Sequence, residues 1–130
     1  MGSAYYFART LDMSFEDALK NTIEALKQEG FGILTEIDVA ETMKKKLDVE
    51  FRQYRILGAC NPPFAYKALK VENKIGTMLP CNVIVQEIAP DKVEIAAIDP
   101  IASMQAVNNP HLSEIAAQIR QKLQKVIQHI

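Results

Sequence analysis

Apolar residues recur every three or four positions in two long stretches of the chain and at every second position in several short ones. Helices and strands must therefore alternate along it. Phe15, Leu19, Ile23 and Leu26 fall on one side of a helical projection, with Ala18, Thr22 and Ala25 filling the same side. Ser14 stands where an N-cap belongs, Glu16 and Asp17 suit the positive end of the helix dipole, and Gly30 suits the C′ position. Leu112, Ile115, Ala116, Ile119, Leu123, Val126, Ile127 and Ile130 make a longer stripe behind Asn109 and Pro110, an N-cap and an N1 proline. Between these lie two shorter helices. Val39, Met43 and Leu47 follow an Asp38/Glu41 capping box. Phe64, Ala65, Ala68 and Leu69 follow Asn61 and Pro62, and residues 73–76 end that helix.

Strands are predicted at residues 5–10, 32–37, 54–59, 83–88 and 93–98. The last two are joined by Ala89-Pro90-Asp91-Lys92, which places proline at the second position of a type I turn and predicts a hairpin. Residues 99–109 read as a loop with one helical turn around Ser103. The order is β-α-β-α-β-α-β-β-α. Alternation alone suggests a parallel sheet, but the hairpin demands an antiparallel pair, and no Gly-rich phosphate loop follows any strand. The predicted class is α+β: a two-layer sandwich with the long first and last helices on one face of a mostly antiparallel sheet.

A chain of 130 residues is the size of one domain and buries about two-thirds of its unfolded surface, so a single domain over residues 1–130 is expected. Gly2-Ser3 reads as a cloning remnant, and residues 1–4 as tag or disorder. The net charge of −1 gives nucleic acid no electrostatic footing, and Lys44-Lys45-Lys46 is too short a run to change that. No apolar run approaches the roughly 18 residues of a membrane span. The N-terminal residues lack the pattern of a signal peptide, which predicts a cytoplasmic protein with reduced cysteines.

Candidate chemistry centres on two Cys-Asn pairs, Cys60-Asn61 and Cys81-Asn82. Cys60 precedes a predicted helix N-cap, where backbone amides and the dipole favour a thiolate. Cys81 enters a strand from Leu79-Pro80, so the two sulfurs meet if both strands reach the same sheet end. Free cysteine is more often simply buried, and a core role for both competes with any function. A closed zinc site needs four ligands in paired spacings, which Cys60, Cys81, His111 and His129 do not provide. A soft Cu(I) site from Cys60 and Cys81 with Met104 or Met78 is chemically allowed. Nucleophilic catalysis needs a base, and neither histidine is tied to Cys60 by spacing. Glu36 and Asp38 share a strand face, but Asp38 reads first as a helix cap and Asp99-Pro100 as a strand end.

Three readings follow. A binding module would hold a small ligand or soft metal at Cys60, Asn61, Pro62, Cys81 and Asn82. An enzyme or sulfur carrier would work through a Cys60 thiolate. A structural protein would dimerise with both cysteines in its core. The four-then-three spacing of Leu112, Ala116, Ile119, Leu123, Val126 and Ile130 suits either a helix–helix seam or packing on the chain's own sheet.

The blocks Gly58-Ala59-Cys60-Asn61-Pro62 and Leu79-Pro80-Cys81-Asn82-Val83 stand in a series. It runs from Gly32-Ile33-Leu34-Thr35-Glu36-Ile37-Asp38-Val39 and Met43-Lys44-Lys45-Lys46-Leu47 to Asp99-Pro100. This series resembles the bacterial and archaeal domain of unknown function 302 family over nearly the whole chain. The resemblance implies a fold of the TATA-box-binding-protein-like class, with helices on a curved antiparallel sheet and a homodimeric assembly. It implies no activity and no certain cofactor, and fold likeness does not carry DNA binding with it.

Overall fold

Each long helix begins at the side chain expected to cap it. Residues 5–130 are described by the structure, a computed structural model; the reading of residues 1–4 as tag or disorder lies outside the described residues. Ser14 Oγ accepts the Asp17 amide at 3.1 Å and opens α1, Phe15–Gln28. Gly30, at φ +87°, closes it, and the Phe31 amide returns to the Leu26 carbonyl. Only glycine takes that φ without cost, which fixes its place at C′. Asp38 accepts the Glu41 amide and opens α2, Val39–Leu47. The other helices are α3, Pro62–Val71; the single turn α4, Pro100–Ser103; and α5, Pro110–Gln128. A 3₁₀ turn, Ile75–Met78, follows α3 where only a helix end was expected.

The strands are β1, Tyr6–Leu11; β2, Gly32–Asp38; β3, Tyr54–Cys60; β4, Cys81–Ala89; and β5, Lys92–Ile98. They form one sheet in the order β1-β5-β4-β3-β2, and every neighbouring pair is antiparallel. The expected α+β class is therefore present. The β4–β5 hairpin is also present, but its turn is not type I. Asp91 sits at φ +56°, whereas type I requires a negative φ there; aspartate is among the few residues that tolerate the left-handed region.

One sheet face carries the core. Leu57, Val83, Val85, Val93, Ile95 and Ala97 are buried beneath Ala18, Leu26, Ile119 and Leu123 of α1 and α5. Leu112, Ala116, Ile119, Leu123 and Val126 all face inward, so the α5 stripe packs on its own domain and is not a free seam. Arg9 of β1 ties the end of α5 down: its guanidinium donates to the carbonyls of Ile127, Gln128 and Ile130, which the helix leaves without partners.

The opposite face has a different pattern. The register aligns Ala8, Ala96, Ile84, Ile56 and Ile37 in one apolar row across all five strands. Mixed rows flank it. Thr10, Glu94, Gln86 and Tyr54 lie on one side, with Gln86 donating to Glu94 at 2.9 Å; Tyr6, Ile98, Asn82, Gly58 and Thr35 lie on the other.

Candidate functional site

Antiparallel pairing brings the end of β3 and the start of β4 together at one end of the sheet. Ala59 pairs with Cys81, so Cys60 and Cys81 are one step apart in register on neighbouring strands. Both are free thiols and half-buried. They line a cavity of about 350 Å³, near the lower end for small-molecule pockets. Its walls come from several elements: Phe64 and Leu69 from α3, Leu112, Ile115 and Ile119 from α5, and Leu79 from the segment before β4.

A bulge shapes one side of the mouth. Ile33 pairs with Ala59 and Thr35 with Gly58, which leaves Leu34 as an extra residue. Such a residue is re-aimed out of the strand's alternation. Leu34 is 65% exposed and lines the cavity. Gly58 makes the bulge feasible. A Cβ there would lie 2.1 Å from Thr35 Oγ1 and 2.7 Å from Pro80 Cγ.

The five residues singled out from sequence do not stay together. Cys60, Asn61 and Cys81 line the cavity. Asn61 is 8% exposed, and its Nδ2 donates to the Glu29 carbonyl at 3.2 Å. It occupies the N-cap position of α3 but makes no side-chain cap, contrary to expectation. Pro63 at N2 has no N–H to offer, which leaves a cap only the Phe64 amide, and the Asn61 amide group instead fastens the end of α1. Pro62 is exposed and off the cavity wall. Asn82 points to the other sheet face, among Tyr6, Tyr54 and Ile84. β4 begins at Cys81, two residues earlier than expected, so period-2 alternation sends neighbours Cys81 and Asn82 to opposite faces.

The chemistry of the walls is apolar, with no histidine and no carboxylate among the lining residues. His111 sits in the first turn of α5, and His129 Nδ1 is within 2.9 Å of the Lys125 carbonyl at its other end. The α3 mouth offers few amides: Pro62 and Pro63 have none, and the Ala65 amide bonds to the Asn61 carbonyl. Burial, and secondarily the Cys60 charge, push the Cys81 thiol up from 9.0 to about 11, so it stays protonated at neutral pH. The thioether of Met104 is on the cavity wall, while Met78 is not. Among the described residues no three or more of His, Cys, Asp and Glu converge as a metal-binding group. Glu36 and Asp38 form ion pairs with Arg55, and Asp99 caps α4 and pairs with Arg120, so all three carboxylates have structural roles.

Sequence reasoning missed most of the walls. Phe64, Leu112 and Ile115 read as ordinary core because a cavity wall and a core face share the same helical period.

An open antiparallel sheet, helices packed on its core face and a thiol-lined cavity at one end define a two-layer α+β domain. The profile of the family described as "Domain of unknown function DUF302" matches residues 7–130, and the chain belongs to that family. The chain is similar to an uncharacterized conserved DUF302 protein from Bacillus stearothermophilus, solved by crystallography. The two share 28% identity over 98% of each chain, with a TM-score of 0.89. No curated protein matches the chain. No helix is long and apolar enough to cross a membrane among the described residues.

Proposed function

We propose that this protein is a binding module for a small, mainly apolar ligand, held in the cavity where Cys60 and Cys81 meet α3 and α5. The observation that carries this is the cavity itself: about 350 Å³ of space with apolar walls, bordered by the two free cysteines. Buried apolar surface drives the binding, and the thiols contact the ligand as weak polar groups. The walls lack a base, which favours binding over nucleophilic catalysis through Cys60. Cys60, Cys81 and the Met104 thioether also make a soft donor set suited to Cu(I). Loading it would first require the Cys81 proton to leave.

The test uses N-phenyl-1-naphthylamine, a neutral apolar fluorophore. It is expected to bind with enhanced emission and to slow modification of Cys60 by a disulfide reagent. Ala65→Phe, which fills the cavity from the half-exposed side of α3, is expected to abolish both effects while circular dichroism stays native. Binding that survives Ala65→Phe, or no binding to the wild type, would sink the proposal.

A second reading concerns assembly, because the free sheet face carries a central apolar row, with aromatic and polar residues in the rows beside it, as interface centres do. It is that of a homodimer pairing those faces.

A further inference from the structure

The cavity has no charged wall, but two cations converge beside it. Phe64 lines the cavity from α3. Lys67 Nζ, one turn along the same helix, is 5.4 Å from the centre of its ring. Lys122 Nζ, from α5, is 5.9 Å from the same centre. Two helices thus bring ammonium groups to one aromatic wall.

Neither lysine is paired with a carboxylate among the described residues. The chain's ion pairs engage Lys44, Lys45, Lys92, Arg55 and Arg120 instead. Aromatic contact compensates a cation only in part. Two cations without carboxylate partners beside one apolar wall make the local potential positive, and an anionic group there would be attracted by both. Ile115, Ile119 and Lys122 are spaced four and three on α5, so the apolar wall and one cation share a helix face.

We infer that the ligand is an amphiphile with one anionic oxygen head, its apolar body in the cavity and its head at the Phe64 side of it, drawn there by Lys67 and Lys122. This rests on the proposed binding function and adds the ligand's chemical class. A medium-chain carboxylate has that shape.

The test compares decanoate with 1-decanol by isothermal titration, below their aggregation limits and at low salt. Both are expected to bind, decanoate about fivefold more tightly, the scale that two solvent-screened charge contacts support. Lys67→Ala/Lys122→Ala should erase that preference and leave decanol affinity unchanged. Raising the salt should erase it too. Equal affinities in the wild type, or a decanoate preference that survives the double substitution, would overturn the head-group assignment while leaving the apolar cavity in place. Failure of both ligands to bind would remove the binding function itself.

Discussion

Cys81 is held as a neutral thiol at the entrance of β4. Burial raises its pKa to about 11, with the nearby Cys60 adding to the effect. A raised native pKa means that the native state holds the proton more tightly than the unfolded chain does. The stability it contributes is thus complete below about pH 9 and is lost as pH rises through about 11. Alkylation of Cys81 by iodoacetamide, followed by peptide mass spectrometry, should half-accelerate near pH 11 in the wild type. In Cys60→Ser the midpoint should fall but stay above 9, because burial is the larger cause. A midpoint at or below 9 in Cys60→Ser would contradict this account. The two cysteines, singled out from sequence, both border the candidate cavity. The separation of Asn82 was not legible there, because it depends on where β4 begins. Running the alternation of buried Val83 and Val85 back through Asn82 to Cys81 is the signal that places Asn82 outside.

At the scale of elements, the β2–β3 pairing is most exposed to a single change at Gly58. Its added Cβ meets two neighbours of different kinds. The Thr35 hydroxyl can rotate away, whereas the Pro80 ring cannot. Gly58→Ala should cost about 1–3 kcal/mol in urea unfolding, the range for overpacked sites. Adding Thr35→Ala should recover only part of that loss. Full recovery in the double variant would show that Pro80 is not a constraint. The helices themselves were legible because their caps are local. Asn109 accepts the amides of His111 and Leu112, as its position before Pro110 suggests. Asn61 stands before Pro62 in the same way and yet bonds to Glu29, 32 residues away. A second proline at N2 removes one of the two amides a cap can use, and the partner Asn61 takes is a distant carbonyl that no local pattern contains. The Leu34 bulge was likewise hidden, since it is defined only by the partner strand.

For the whole molecule, the question is what covers the free face of the sheet. Antiparallel sheets commonly turn a polar face to water, but here Ile84, Ile56 and Ile37 extend an apolar row to the β2 edge. Ile37 is 47% exposed, and Tyr6 at the far edge is 38% exposed. In the proposed homodimer, a two-fold axis lying parallel to the sheet would place this central row against its own copy, with the mixed rows at the rim. Sheets packed in this way lie about 10 Å apart and bury such a row fully. Light scattering should therefore give twice the 14.6 kDa chain mass. Ile84→Arg, at the middle of the row, should give a folded monomer, because its side chain is only partly buried and the charge can reach water in the single subunit. Ile101→Arg, on α4 outside the row, should leave the mass doubled. A monomeric wild type would remove the assembly. A dimer that survives Ile84→Arg would move the interface off this face, and α5 could not replace it without unpacking Leu123 and Val126 from the core.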